Sequence, residues 1–397
     1  MKIGILTYHA PCNFGANLQA YASQKYFSSL GHDTWIINFD MESDKCDKAA
    51  EGQVEAHRHF SQKVLRVTRV VNKHTLLDLV REMQFDAIGV GADAVWNKRV
   101  HDDLRVFFGD WLFKSDLKDK VKMFALSPAF MGQTYQDLPN RLKEDFKNAL
   151  EQFVFLDTRD EWTAHVINKE IAGYELIKIL NPDPVFLLDE FVDVEWRHPD
   201  FIQSKEYILY SLPKDFDKFL GSLKRMWLKK FMQLLHKKGY KLVEIPIPEG
   251  VSQLPSDYRV PYPIDPLQWY LWIKNARGYW GLRFHAVVSS ISAGTPFFSL
   301  DTYGKIDTKW HKLLSYIGFH GRDSIINKSS KIRNLIQGSG LENHRINGTW
   351  FFTISPWKLF NILENTNKEL ICQFRVKNIE KFKSNMQEMI KKITAHE

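Results

Sequence analysis

The sequence predicts an α/β protein built from two Rossmann-like domains facing across a cleft. Three observations carry this. The chain opens as strand, helix and strand, the unit of a parallel sheet covered by helices. After a polar, proline-bearing stretch the same alternation starts again near Tyr207. At 397 residues the chain is also too long for one ordinary core.

Residues 2–8 alternate apolar side chains as a buried strand does, and the loop H-A-P-C-N-F-G-A follows. Residues 17–30 place Leu18, Tyr21, Ala22 and Leu30 on one helix face, with Gly31 as the stop. Residues 34–39 are the second strand. Residues 40–63 are charged and poor in large apolar side chains, which predicts a long loop, and residues 64–83 read as largely helical. A strand at 85–90 runs into G-A-D-A-V-W-N, and another at 122–126 ends in Ser127-Pro128. Residues 140–151 read as a helix and 153–156 as a strand. Arg159-Asp160-Glu161 opens a helix over 162–171, and a strand at 177–180 ends the first domain, residues 1–187. Asn181-Pro182-Asp183-Pro184 breaks any helix, and residues 188–204 read as a linker.

The second domain, residues 205–345, repeats the pattern with strands at 207–212 and 241–245 around a helix at 216–238. An aromatic-rich helix at 265–276 precedes a short apolar strand at 278–282. Residues 284–294 have a helix's length and a glycine stop, and 296–300 is the next strand. From residue 308 the chain reads as mostly helical. Residues 346–397 form a C-terminal helical segment whose last helix, 373–394, is expected to pack back on the first domain.

The totals narrow the class. With 44% hydrophobic and 25% charged residues the composition is that of a soluble domain protein. Cys12, Cys46 and Cys372 lie far apart with no C-x-x-C pair, which argues against a disulfide framework or a zinc ribbon. Residues 1–8 run straight into a strand without a signal-peptide pattern, and no apolar run approaches the roughly 18 residues of a membrane span. A cytoplasmic protein is expected. The net charge of +7 is dispersed, and its densest stretch, 224–238, has helical spacing and a lysine-rich face. It reads first as a domain helix with solvated lysines, and second as a helix docked peripherally on an anionic membrane. No recognition motif for nucleic acid accompanies the charge, so no nucleic-acid partner is expected. Neither G-x-G-x-x-G nor a P-loop appears, which disfavours a dinucleotide or P-loop nucleotide site.

Four groups fall at the carboxyl ends of predicted strands, where open α/β sheets bind ligands. They run from His9 to Gly15, from Asp93 to Asn97, over Arg159-Asp160, and from Arg283 to His285. Arg283 offers a permanent, forked charge at a helix mouth, and His285 a proton near neutral pH. Each of the others has a plain alternative. Arg159 can pair with Asp157 or Asp160, His9 can serve a local hydrogen bond, Asp93 can cap a turn, and Trp96 can be core.

Taken in order, these blocks resemble the polysaccharide pyruvyl transferase family. They are K-I-G-I-L-T-Y-H with N-F-G-A-N-L-Q-A-Y-A, G-A-D-A-V-W-N, the S-P at 127–128, T-R-D-E, D-P-V-F-L-L, and R-F-H-A with G-T-P-F-F-S-L-D-T-Y-G-K. The chain departs from the family's pattern at Ala92, Ala94 and Ala286. The resemblance implies a fold similar to the GT-B glycosyltransferases. It also implies transfer of pyruvate from phosphoenolpyruvate onto two hydroxyls of a sugar in a cell-surface polysaccharide or its precursor, forming a cyclic ketal and releasing phosphate. Phosphoenolpyruvate carries a phosphate and a carboxylate, which Arg159 and Arg283 suit by position. Leu282, Phe284 and His285 complete the expected donor site, with backbone N–H groups after Leu282 on the departing phosphate. His285 is the expected acid toward the methylene carbon, and Asp93, with His9 second, the base toward the attacking hydroxyl. The acceptor, a sugar or a lipid-linked or polymeric glycan, is expected at His9, Asn13, Gly15, Asn17, Trp96 and Asn97. No cofactor or metal is called for, since the arginines supply the charge. Two rivals share this architecture: a GT-B glycosyltransferase using a nucleotide sugar, and a non-catalytic glycan-assembly protein.

Overall fold

Five residues of alternating character at the N-terminus form the central strand of the first sheet, β1 (Lys2–Leu6), buried from Ile3 onward. In this computed structural model all residues are described except 10–11, 41–50, 98–104, 215, 217–219, 253, 302–329, 349 and 396–397. Residues 308–329 of the expected helical stretch, the end of the last motif at 302–305 and Cys46 therefore lie outside the described residues. The chain forms two units. One comprises Met1–Cys46, Arg58–Leu187 and Asn378–Glu397, and the other Asp47–His57 and Leu188–Lys377.

In the first unit, α1 (Phe14–Ser29) starts at Asn13, whose side chain accepts from Gly15 N at 3.0 Å. This helix is enclosed on most sides, so its buried polar residues need internal partners. Asn17 donates to His9 O at 2.6 Å, and Gln24 donates to Arg66 O at 2.8 Å. β2 (Asp33–Ile36) lies parallel to β1. The expected loop over 40–63 instead ends in a helix, α2 (Gln53–Lys63). Its buried positions are Gln53, His57, Phe60 and Ser61, which have helical spacing but only one large apolar residue, so a search for apolar periodicity passes over it. Gln53 pairs both amide atoms with the backbone of Ile264 at 3.0 Å, which places residues 47–57 in the second unit. The expected helix over 64–83 is confined to α3 (Leu76–Met83). The β-branched run before it is extended beside β2, with parallel bridges Ile36–Val67 and Phe39–Val71.

β3 (Ala87–Val90) follows, then the short turns α4 (Arg105–Phe108) and α5 (Asp110–Phe113), β4 (Lys122–Ala125) and α6 (Asn140–Leu150). The strand expected at 153–156 begins later, as β5 (Asp157–Thr158), with only a bridge from Phe155 to Phe124 before it. α7 (Glu161–Val166) is capped by Asp160 and loosens into a π-turn over Ile167–Ala172. β6 (Ile179–Leu180) pairs with β5. The main sheet is parallel, in the order β2-β1-β3-β4.

The second unit starts at α8 (Leu188–Phe191). β7 (Tyr207–Ser211), α9 (Gly221–Lys237), β8 (Lys241–Glu244), β9 (Tyr258–Arg259), α10 (Pro266–Asn275), β10 (Gly278–Gly281), α11 (Phe284–Ser292), β11 (Phe297–Asp301) and β12 (Arg345–Asn347) follow in turn. Its sheet, also parallel, runs β12-β11-β10-β7-β8-β9, the strand order of a Rossmann domain. Aromatic rings bind its centre. Tyr210, Trp280 and Phe298 oppose one another on β7, β10 and β11 and stack at 5.1 and 5.6 Å. Trp227 and Phe231 of α9 pack edge-on against Trp280. Such pairs contribute about 0.5–1.5 kcal/mol each beyond the area they bury.

The helix Pro356–Glu364 covers this same core through Leu359, Phe360 and Leu363. Residues 346–377 thus belong to the second unit, and only Asn378–Glu397, the later part of the helix Lys368–Thr394, lies in the first. No helix among the described residues is long and apolar enough to cross a membrane.

Candidate functional site

Each sheet has one place where the chain reverses its direction of growth, and loops leaving such neighbouring strands diverge and open a crevice. In the second unit that place lies between β7 and β10, whose carboxyl ends are level because Ser211 opposes Gly281. Under it, the buried Tyr279 hydroxyl lies 2.7 Å from Ser211 Oγ. Burial raises the Tyr279 phenol above its ordinary value, while the Ser211 hydrogen bond and the Arg283 charge oppose the shift. Gly281 has to be glycine here. A Cβ would collide with the Tyr279 hydroxyl and stand 2.6 Å from Ser211 O.

The next residues leave the sheet and start α11. Arg283 is the N-cap, with extended backbone (φ −89°, ψ 123°), and its side chain makes no cap to the helix. The guanidinium reaches sideways instead, donating from Nη2 to Glu249 Oε2 at 2.7 Å, and the two side chains are 41% and 37% exposed. A permanent cation thus stands half in solvent at the positive end of a helix, a combination suited to an anion. Leu282 packs its side chain against the core beneath. His285, half-buried in the first turn, meets the Phe284 ring edge-on at 5.2 Å, and Lys331 Nζ lies 5.7 Å from that ring's centre. Asp301, at the end of the S-L-D motif, has a structural task. Its Oδ2 accepts from Ser330 Oγ and Arg345 Nε, both at 2.5 Å, which fixes the end of β11.

In the first unit the reversal lies between β1 and β3, where Leu6 opposes Val90. The two loops are tied directly: Thr7 Oγ1 donates to Ala92 O at 3.4 Å and Tyr8 Oη to Ala94 O at 3.3 Å. His9 is buried, its Nδ1 3.3 Å from Thr7 O and its Nε2 3.1 Å from Asn38 Oδ1. Burial lowers its pKa below the ordinary histidine value, and the two hydrogen bonds push the other way. Asn13 and Gly15 form the start of α1, and Asn17 is buried against His9 O. Asp93 is buried with positive φ (71°), and its carbonyl accepts from Ala129 N at 2.8 Å. Asn97 donates from Nδ2 to Phe130 O at 3.0 Å. Trp96, expected among the acceptor residues, takes instead its plain alternative as core. Its ring is fully buried, donates to Phe107 O at 2.9 Å and stacks on Phe108 at 5.4 Å, leaving no face for a sugar.

Arg159, at the end of β5, pairs with neither Asp157 nor Asp160. Its Nη1 donates to Asp183 Oδ2 at 3.0 Å, and both side chains are nearly inaccessible, at 5% and 1%. Asp183 also accepts from Gln19 Nε2 at 2.7 Å and from Val185 N at 3.0 Å. The D-P-V-F motif is thus the counter-charge of the T-R-D motif. Asp160 caps α7. Asp157 accepts from Ser127 N at 2.8 Å, and its complete burial pushes its pKa up to about 8 against the Ser127 and Asn181 hydrogen bonds.

A sequence model of the polysaccharide pyruvyl transferase family matches residues 13–303. The chain belongs to that family. Among curated proteins none matches the chain. Two solved structures resemble it in fold. One is a protein named as a UDP-N-acetylglucosamine 2-epimerase from Listeria monocytogenes, with TM-score 0.53, 10% identity, and coverage of 94% of this chain and 90% of that one. The other is Arabidopsis thaliana UGT89C1 complexed with UDP-L-rhamnose, with TM-score 0.50, 10% identity, and coverage of 99% and 98%. At such identity they show the fold alone: two Rossmann-like domains of the GT-B class.

The pyruvyl transferase match spans every candidate residue except His9. The structure brings Leu282, Arg283, Phe284 and His285 to one sheet edge and adds Glu249, which the sequence reading missed. The one available signal was its place in P-E-G just past the end of β8. Asp183 was missed as the partner of Arg159, and Gln19 as a donor to Asp183, because the pairs are 24 and 164 residues apart in sequence and no local pattern links them.

Proposed function

We propose that this chain transfers pyruvate from phosphoenolpyruvate onto two hydroxyls of a sugar in a cell-surface polysaccharide or its precursor. The observation that carries the proposal is Arg283, half-exposed at the mouth of α11 with His285 two residues on, in a chain of the pyruvyl transferase family. Arg283 binds the donor's anionic groups, and the first N–H groups of α11 receive the departing phosphate. His285 protonates the methylene carbon, one hydroxyl adds to the oxocarbenium-like carbon so formed, the C–O bond to phosphate then breaks, and the second hydroxyl takes the regenerated cationic carbon to close the ketal. Two C–O bonds form, one C–O bond breaks, and the two hydroxyl protons balance the methyl group and the released phosphate. Asp93 is assigned as base toward the attacking hydroxyl, with His9, Asn13, Gly15, Asn17 and Asn97 on the acceptor side. Arg159 is assigned as a second anion ligand, its guanidinium plane fixed by Asp183. No cofactor enters.

We place the protein in the cytoplasm, with peripheral docking on an anionic membrane face as the second reading of its lysine-rich helix. Support for this is α9, which carries no acidic residue and exposes Leu223 and Met226 among Arg225, Lys229 and Lys230.

Thermal stabilisation by phosphoenolpyruvate, with phosphate release in the presence of sugar acceptors, tests the reading. Arg283→Lys is expected to lose most of the donor-dependent shift, because an ammonium cannot reproduce the fork. His285→Gln is expected to keep the shift and lose turnover. Stabilisation by UDP and not by phosphoenolpyruvate would instead favour a nucleotide-sugar transferase, and indifference to both a non-catalytic role.

A further inference from the structure

We infer that Glu249 is a positioning residue that holds the Arg283 guanidinium in its anion-binding orientation. The inference rests on the assignment of Arg283 to the donor and adds a residue that nothing in the family match or the motifs singles out. Arginine has a long stem with many rotamers, and at a helix N-terminus it sits in a field that repels it. Left alone it would turn outward. Glu249 counters this from a built support.

Pro248 and Glu249 form the tip of a tight turn closed by Ile247 N to Gly250 O at 2.9 Å and Gly250 N to Ile247 O at 2.8 Å. The turn is anchored on both sides. Before it, the indole of the buried Trp269 donates to Pro246 O at 3.0 Å. After it, the buried Glu244 accepts from Ser252 N at 2.6 Å and Ser252 Oγ at 2.5 Å, and its other oxygen takes Arg259 Nε at 3.0 Å. A carboxylate on so fixed a base presents its oxygen 2.7 Å from Arg283 Nη2 and engages one edge of a group with five N–H donors. The remaining donors are then held in one plane, as bidentate recognition of a phosphate or carboxylate requires.

The test uses the full chain with Glu249→Ala, Glu249→Gln and Arg283→Ala. In arginine side-chain NMR, the Nε–H signal absent from Arg283→Ala is expected to be sharp and slowly exchanging in the unaltered protein. It should be averaged in Glu249→Ala and largely restored in Glu249→Gln, whose amide oxygen still accepts. Phosphoenolpyruvate affinity is expected to fall about two- to fivefold in Glu249→Ala, the size of an exposed pair, and turnover further, on the order of tenfold, with the acceptor KM unmoved. An Arg283 signal indifferent to Glu249, or tighter donor binding in Glu249→Ala, would overturn the inference, the latter making Glu249 a competitor of the donor. Should the unaltered protein ignore phosphoenolpyruvate while the Arg283 signal still follows Glu249 and responds to inorganic phosphate, the donor assignment falls and the positioning role stands.

Discussion

The two main sheets reverse direction in the same way, yet the two units treat the charges at their strand ends in opposite ways. In the first unit His9, Asn17, Asp93 and Asn97 are buried, and Arg159 is locked on Asp183. In the second, Arg283 and Glu249 are each more than a third exposed. The contrast separates two uses of charge. A buried pair has lost its hydration and is strongly destabilising to break, so it fixes loops, whereas an exposed pair contributes little and can exchange partners with a ligand. The same topology thus yields one edge whose polar groups are buried and one whose charges stand partly in solvent.

The largest expected effect tests this contrast head-on. Asp183→Ala removes the buried carboxylate that pairs with the buried Arg159 and is expected to cost about 3–5 kcal/mol in urea unfolding, against at most about 1 kcal/mol for Arg283→Ala. Equal costs would break the comparison. Next is Gly281→Ala, where the added methyl displaces the Tyr279–Ser211 pair. We expect about 1–3 kcal/mol of destabilisation and loss of the phosphoenolpyruvate-dependent thermal shift. A variant as stable as the parent would show that this support under the Arg283 edge yields readily.

Asp157 sharpens the buried side. Its folded pKa of about 8 lies above the unfolded 3.8, so between them the folded state holds a proton that the unfolded state has released. The stability it contributes is complete below about pH 4 and declines by roughly 1.4 kcal/mol per pH unit until about pH 8. Melting temperature measured against pH is expected to show this descending component in the parent and to lack it in Asp157→Asn. A slope of the same size in both would assign it to other groups. The smallest effect on stability belongs to Lys229→Gln with Lys230→Gln on α9, within about 0.5 kcal/mol. Binding to anionic, but not zwitterionic, vesicles is expected to weaken in that variant, and unchanged binding would remove α9 from the membrane proposal.

Much of the architecture was legible because strands buried on both faces read as apolar runs and glycine stops mark helix ends. The β7–α9–β8 and β10–α11–β11 units appear nearly where pattern places them. Pattern failed where burial is achieved with polar groups. α2 hides Gln53 and His57 rather than leucines, and residues 64–71 are extended because they pair with β2, a partner that local sequence does not name.

By itself the sequence determined the family, the two-domain α/β class and the placement of Arg283 and His285 at a strand-to-helix junction, since each rests on short-range periodicity or on an ordered set of motifs. The tertiary structure alone decided which charges are spoken for. Arg159 and Arg283 look alike in sequence, but only folding brings Asp183, 24 residues on, into the interior beside one and Glu249, 34 residues back, to the rim beside the other. Desolvation depends on everything packed around a group, and no local pattern carries that information.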